Sequence, residues 1–205
     1  MYIPKAFEGS DAIGREIMQA HGWALLVTAD ETGVPLATHL ALHWHDDGSP
    51  HGALLGHLAR ANGHWRLFQR PVESLAMFWG PHAYVSPTWY APGPKVPTWN
   101  YVTVHAYGRP EIVEDTADAL AILRRLSTTY EGADGWSLDM LPPGNAEAQT
   151  RGIVAFRIPL ARVETKLKLG QNRDLEDRHR VIARLEESGG DDAKATAAWM
   201  RRVLP

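Results

Sequence analysis

The most regular alternation in the chain lies in Leu36-Ala-Thr-His-Leu-Ala-Leu-His-Trp-His45. Leucines, Thr38 and Trp44 fall on one side of this segment, and alanines and histidines fall on the other. Because successive side chains of a β-strand point to opposite faces, this period of two predicts a strand with one half-polar face. Trp99-Asn-Tyr-Val-Thr-Val-His-Ala-Tyr107 alternates in the same way. We expect the polar and aromatic faces of these two strands to line a cleft.

Shorter patterns extend the sheet on both sides of these two segments. Further strands are predicted over residues 23–29, 52–57, 74–79 and 152–158, with residues 111–114 prolonging the sheet. Gly80-Pro81 is expected to end the strand before it, and the four prolines of residues 87–97 predict a loop. Helices are predicted over residues 11–20, 59–68, 116–130, 174–187 and 193–203.

The resulting element order gives the fold class. About six strands in mostly antiparallel order, with helices at the ends, predict a mainly β fold with α decoration, built as a β-barrel. The helix over residues 116–130 is expected to bury Leu120, Leu123 and Leu126. We predict one domain over residues 1–205 that includes C-terminal helices from about residue 174.

Composition excludes several classes of site. The chain has no cysteine, which rules out thiolate nucleophiles and Cys-based metal centres. No apolar run approaches the roughly 20 residues that span a bilayer, and the N-terminus lacks the pattern of a signal peptide, so we expect a cytoplasmic protein without a membrane partner. The net charge is −3, although residues 151–205 hold 12 Lys and Arg against 8 Asp and Glu. That modest basic excess gives little support to DNA binding.

Aromatic and basic residues are concentrated in four segments. The eight tryptophans serve either core packing or a planar ligand. Residues 56–65 run from a strand into a turn. This segment either binds a phosphate through His57 and Arg60 or is a solvated turn. Residues 80–90 form either the wall of a ligand site or a small core under a loop.

The other two segments are residues 96–105 and 166–173. Trp99 and Tyr101 suit a planar ring, and the Asn100 amide suits the edge of such a ring, unless this is only a packed barrel strand. Gln171 and Asn172 stand between basic residues just before a helix, which also fits an exposed loop.

The histidines do not form a convincing metal site. His43 and His45 share a strand face with His39, and such a pair is able to ligate zinc. No Asp or Glu accompanies them on that strand face, so we favour polar packing and predict no metal. Ser86 lacks the glycines of a nucleophile elbow, and no catalytic residue is assigned.

Taken together, five segments resemble the PaiB family of FMN-binding negative transcriptional regulators. They are Met1-Tyr-Ile-Pro-Lys5, Gly56-His-Leu-Ala-Arg-Ala-Asn62 with His64-Trp65, Gly80-Pro-His-Ala-Tyr-Val-Ser-Pro87 with Trp89-Tyr90, Val96-Pro-Thr-Trp-Asn-Tyr101 with Val104-His105, and Lys168-Leu-Gly-Gln-Asn-Arg173. The chain departs from the family pattern at Gly63, where proline is expected, and at Gly170, where serine is expected.

The resemblance implies an antiparallel FMN-binding split β-barrel, related to pyridoxamine-phosphate oxidase. It also implies a homodimer with FMN in a cleft at the interface. The FMN phosphate would meet Thr38, His57 and Arg60, with amides near Asn62, and the ring would lie along residues 99–101. The expected cofactor-binding residues are Thr38, His57, Arg60, Asn62, Ser86, Trp99, Asn100, Tyr101, Lys168, Gln171 and Asn172.

Several uses of such a site remain open. The family label points to a flavin-binding transcriptional regulator that acts through its flavin or ligand state. An FMN-dependent oxidase or reductase of a small substrate is the alternative, because the cofactor supplies the hydride chemistry. A split barrel that holds heme or another cofactor is the second alternative. Direct DNA binding through the C-terminal arginines ranks last, and these are Arg178, Arg180, Arg184, Arg201 and Arg202.

Overall fold

A computed structural model describes residues 1–132 and 134–205. The β-strands within these residues are β1 Trp23–Ala29, β2 Pro35–His45, β3 Ala53–Ala59, β4 Ser74–Val85, β5 Thr98–Gly108, β6 Glu111–Val113 and β7 Ile153–Lys168. The α-helices are α1 Asp11–Ala20, α2 Thr116–Glu131, α3 Asn145–Thr150, α4 Leu175–Glu187 and α5 Asp191–Arg202. Short 3₁₀ helices cover Lys5–Phe7, Gly63–Gln69, Pro87–Trp89 and Leu138–Met140.

The strands form one sheet in the order β3-β2-β1-β4-β5-β7-β6, and β3 also pairs with β7. Starting from β3, successive pairings pass through β2, β1, β4, β5 and β7, and β7 pairs with β3 again. β1 pairs antiparallel with β2 and β4, and β3 pairs antiparallel with β2 and β7. This topology, with helices added to an antiparallel sheet, confirms the predicted mainly β split barrel.

Contacts along the chain divide it into two compact units. Unit 1 contains residues 1–17, 79–104 and 164–205, and unit 2 contains residues 18–78 and 105–163. The single domain expected over residues 1–205 stays a prediction. Within the described residues, no helix combines the length and the apolar character needed to cross a membrane.

Unit 2 buries the apolar face of β2 that the alternation predicts. Leu40, Leu42 and Trp44 are buried, and the intervening residues are partly exposed. A second cluster lies under α2, where Leu55 packs with Ala119 and others. The predicted stripe of α2 is confirmed at Leu126 and wrong at Leu120 and Leu123, which are only half-buried, because the other buried residues are Ala119 and Ile122.

β4 does not end at Gly80-Pro81, which corrects the expected strand end. Trp79 and His82 are both exposed, whereas Gly80 and Pro81 between them are both buried. This shift in the alternation is the pattern that an extra residue, a β-bulge, produces in a strand. Proline is tolerated at a bulge because its missing N–H removes no necessary ladder bond. The strand therefore continues to Val85.

The helix expected over residues 59–68 begins later than predicted and is a 3₁₀ helix over Gly63–Gln69. β3 extends to Ala59, and a 3₁₀ helix begins at Gly63 after Asn62, whose side chain accepts a hydrogen bond from the His64 N–H. The C-terminal helices were predicted more accurately, since α4 buries Val181, Ile182 and Leu185 as its periodicity requires.

Candidate functional site

Unit 1 carries an open hollow of about 490 Å³. It is lined by Trp79, Gly80, His82, Trp99, Tyr101, Val102 and Thr103. These residues, which we call the aromatic hollow, come from β4 and β5. The volume lies in the range of small-molecule sites, and the walls are flat rings of the kind that bind planar ligands.

The alternation of β5 explains why the rings stay accessible. Asn100, Val102 and Val104 point inward, so Trp99 and Tyr101 point outward. Trp99 keeps 52% of its surface exposed. The His82 ring lies 6.1 Å from the Trp99 ring, and the Tyr84 ring meets Trp99 edge-on at 6.0 Å. This geometry holds the Trp99 indole in place while leaving part of it uncovered.

Lysine side chains stand beside the same strand. The Lys168 ammonium donates to the Thr98 hydroxyl and to the Trp99 carbonyl, and it lies 5.9 Å from the centre of the Tyr101 ring. Lys166 Nζ lies 5.4 Å from that ring centre. Burial lowers the pKa of Lys168, and the positive charges of Lys166 and Arg173 lower it further. An anionic group near Tyr101 would relieve this repulsion.

The predicted amides of unit 1 occupy different surroundings. Asn100 is only 3% exposed and donates from Nδ2 to the Met200 sulfur at 3.3 Å. It lines a recess of about 60 Å³ with Asn172, Lys168 and neighbouring residues. This recess is far smaller than the aromatic hollow.

Gln171 and Ser86 are engaged locally. Gln171 Oε1 accepts from the Leu169 N–H at 2.8 Å, and Gln171 Nε2 donates to the Leu167 carbonyl at 2.7 Å. The Ser86 hydroxyl accepts from the Thr88 N–H at 3.3 Å and caps a 3₁₀ helix. These contacts stabilise the two turns, and the contribution of both residues to cofactor binding stays a prediction.

Unit 2 contains the four residues expected at the phosphate. Thr38 and Asn62 lie together, because Asn62 Nδ2 donates to the Thr38 hydroxyl at 3.3 Å. The Thr38 hydroxyl also contacts His64 Nδ1 at 2.8 Å, and His64 Nε2 reaches Thr28 at 2.9 Å. Burial lowers the pKa of His64 to about 4, so this histidine is neutral near pH 7.

Arg60 and His57 lie apart from that network. Arg60 Nε donates to the Arg151 carbonyl at 2.8 Å and Arg60 Nη2 donates to the Ile153 carbonyl at 2.7 Å, which leaves other guanidinium N–H groups unused. Leu42 pairs with Gly56, so His57 points to the face of the sheet opposite to Thr38. Among residues 1–132 and 134–205 the buried His57 Nδ1 has no hydrogen-bond partner, and burial lowers the pKa of His57. Joint phosphate binding by these residues stays a prediction.

Five of the seven residues that line the aromatic hollow are not among the cofactor-binding residues expected by sequence, and they are Trp79, Gly80, His82, Val102 and Thr103. Gly80 and His82 do lie in residues 80–90, which the sequence offered as the wall of a ligand site. Trp79 and His82 lie on either side of the bulge of β4. The bulge reverses the alternation, so no single period of two places both on the same face. In the part of the chain described, no group of three His, Asp or Glu side chains is arranged to hold a metal ion.

Comparison with solved structures identifies the class of fold. The chain matches the flavocytochrome Anf3 from Azotobacter vinelandii with a TM-score of 0.64 at 17% identity, covering 83% of this chain and 73% of that chain. It matches the FAD and heme binding protein from Mycobacterium smegmatis with a TM-score of 0.62 at 14% identity, covering 88% and 78%. Its fold is that of the split-barrel proteins.

Sequence relatives then identify the family. Residues 1–162 match the family described as "Putative FMN-binding domain". The chain is 37% identical over 210 residues to the "Protease synthase and sporulation protein PAI 2" of Bacillus subtilis (strain 168), covering 100% of this chain and 98% of that protein. The chain belongs to this FMN-binding family, and the resemblance to the PaiB family is confirmed.

Proposed function

We propose that this protein binds FMN in the aromatic hollow and acts as a negative transcriptional regulator through its flavin or ligand state. The observation that carries the proposal is the hollow of about 490 Å³ with the exposed Trp99 indole at its wall. Family membership supports FMN as the ligand, since residues 1–162 match the FMN-binding domain. The regulatory role rests on the resemblance to the PaiB family.

The donors and rings of the chain fit the chemistry of FMN. Trp99 and Tyr101 would pack against the ring, and Lys168 would place a positive charge near it. Bound FMN would accept and release reducing equivalents, and a neighbouring cation favours the more negative, reduced state. Arg60 would bind the phosphate with the N–H groups that Arg151 and Ile153 leave unused.

Regulation without direct DNA contact agrees with the C-terminal arginines. Arg180, Arg184 and Arg201 pair with glutamates of the same unit, as does Arg202 with Glu16. Arg178 is 5% exposed and donates to the Val203 carbonyl. Each of the five arginines considered for DNA is therefore already engaged. Neutralised arginines contribute little to binding phosphates of DNA.

A second copy of the chain would complete the cofactor cleft. The exposed rings of Trp79, Tyr84 and Trp99 form part of an apolar surface that a homodimer would cover. Sedimentation velocity measures this directly. A protein that binds FMN tightly and stays monomeric would refute the shared cleft while leaving FMN binding intact.

An absorbance spectrum followed by an FMN titration tests the central proposal. We expect an oxidised-flavin spectrum after addition of FMN, whereas a heme spectrum of the purified protein would favour the other cofactor. Trp99→Ala should weaken FMN binding about tenfold, because aromatic stacking contributes about 1–3 kcal/mol. Trp136→Ala is the matched control, since Trp136 is 45% exposed outside the hollow. Equal FMN affinities of the two variants would remove Trp99 from the site.

Three further measurements test the phosphate contact of Arg60, the enzyme alternative and residual DNA binding. Arg60→Ala should weaken FMN binding at least about tenfold, since a charge-assisted hydrogen bond contributes about 1.5–3 kcal/mol. Bleaching of the bound flavin by NADH or NADPH, with recovery in oxygen, would favour an FMN-dependent oxidoreductase. A flavin that neither reagent reduces would favour the regulatory role. A gel-shift assay with salt dependence tests residual DNA binding.

A further inference from the structure

Unit 2 has a second, chemically different cleft of about 310 Å³. It is lined by His43, Arg124, Arg125, Thr128 and Thr129, which we call the basic cleft. His43 comes from the half-polar face of β2, and the other four residues come from the last turns of α2. The lining combines two guanidinium groups, an imidazole and two hydroxyls, and it contains no carboxylate.

Charge at the basic cleft is only partly neutralised. Arg124 is paired with Asp139 at 2.7 Å. Within residues 1–132 and 134–205, Arg125 has no carboxylate partner, and the Thr128 hydroxyl has no hydrogen-bond partner. One cation and one hydroxyl therefore remain available to an anion from solution.

The hydrogen bonds of Thr129 determine which nitrogen of His43 carries a proton. The Thr129 hydroxyl donates its single hydrogen to the Arg125 carbonyl at 2.8 Å. The contact of 3.0 Å between Thr129 Oγ1 and His43 Nδ1 must then use the hydrogen of Nδ1. This leaves Nε2 as the nitrogen that takes up a proton. A protonated His43 would thus gain a new donor without losing its bond to Thr129.

We propose that the basic cleft binds the phosphate group of a small phosphorylated molecule. A phosphomonoester carries about 1.5 to 2 negative charges at neutral pH and offers acceptors for guanidinium, hydroxyl and imidazolium donors. The volume of about 310 Å³ holds a phosphate with a short organic part and is at the lower end of ligand sites. A nucleic acid would need a longer basic surface, which a chain of net charge −3 does not offer.

Binding of phosphate should be coupled to protonation of His43 in a defined direction. Burial lowers the pKa of His43, and the charges of Arg125 and His45 lower it further. A bound phosphate would offset those charges and stabilise the imidazolium form, whereas the Asp139 carboxylate is paired with Arg124. By linkage, bound phosphate must raise the pKa of His43, and protonation of His43 must strengthen the binding of a given ionic form of the phosphate by the same factor.

NMR titration of the His43 ring measures this linkage in the full chain without FMN. The pKa of His43 is determined in inorganic phosphate, in glycerol phosphate and in chloride at equal ionic strength. We expect a rise of about one pH unit in either phosphate, which corresponds to about tenfold tighter binding to the imidazolium form. Because FMN is absent, the result is independent of the flavin proposal.

Two variants distinguish phosphate binding at the basic cleft from a general effect of ions on the pKa of His43. Arg125→Gln should abolish the response to phosphate and should by itself raise the pKa of His43 in chloride, because a repulsive charge is lost. Arg109→Gln removes an exposed arginine that does not line the cleft and should leave the response unchanged. Equal pKa values in phosphate and chloride would overturn the proposal. So would an unchanged response in Arg125→Gln, or a response to a DNA duplex with none to either phosphate.

Discussion

The buried His64 should make unit 2 lose stability in mild acid. Its side chain is 0% exposed, and its two ring nitrogens contact the hydroxyls of Thr38 and Thr28. In the folded chain burial lowers the pKa of His64 to about 4, from the ordinary value of 6.5. Between these values the unfolded chain binds a proton that the folded chain does not bind.

The magnitude follows from proton linkage. Stability is largest above the unfolded pKa of 6.5, and it falls as the pH falls toward the folded pKa of about 4. At about pH 5 the unfolded state gains about 2 kcal/mol relative to the folded state from this group alone. That is a considerable part of the stability of a typical domain.

Urea denaturation of the wild type and of His64→Gln at about pH 7.5 and about pH 5 measures this contribution. Glutamine keeps a donor and an acceptor near Thr28 and Thr38 but does not titrate, and every other histidine is present in both proteins. The wild type should lose about 2 kcal/mol more than the variant between the two pH values. Equal losses in the two proteins would refute the assignment of His64 as a buried neutral group.

Four further substitutions, compared in two pairs, test local structure by denaturation. Gly170 has a φ of +81°, and an added Cβ would make only ordinary van der Waals contacts, the nearest with Met200 at 3.8 Å, so Gly170→Ala should cost about 1–2 kcal/mol through backbone strain alone. Gly63→Ala should be neutral or slightly stabilising, because Gly63 has no positive φ and nothing within 4 Å of an added Cβ; equal effects would contradict this reasoning. Asp177 is 2% exposed and accepts from Lys95 and from the Ala91 N–H. Asp177→Ala should therefore cost about 1.5–3 kcal/mol, more than Lys95→Met, and the reverse order would refute this account.

Local patterns were sufficient for the elements whose burial follows one period. The bounds of β1 and β5 were predicted within one residue, β1 from a short apolar run and β5 from an uninterrupted alternation. The bulge at Gly80-Pro81 breaks that condition, so two residues that usually end a strand lie inside β4. The error in α2 has a similar origin, since Ala119 is small but buried, and larger leucines beside it are only half-buried.

The sequence predicts which residue types belong to the candidate site, but it does not predict which other residues they contact. Arg60 was selected for its chemistry, whereas its carbonyl acceptors lie 91 and 93 residues further along the chain. The separation of Thr38 and His57 onto opposite faces depends on the register between β2 and β3. Neither a distant acceptor nor a strand register leaves a local signal in the sequence.

The inner and outer residues of β5 meet different requirements, the inner ones for folding and the outer ones for function. Its inner residues Val102 and Val104 are at most 1% exposed and supply the packing that the strand needs. Trp99 is 52% exposed, so packing inside the protein uses only part of its apolar surface. A polar side chain at this position would satisfy the same strand with better solvation. If FMN binds in the aromatic hollow as we propose, substitutions of Trp99 should weaken that binding with little change in stability.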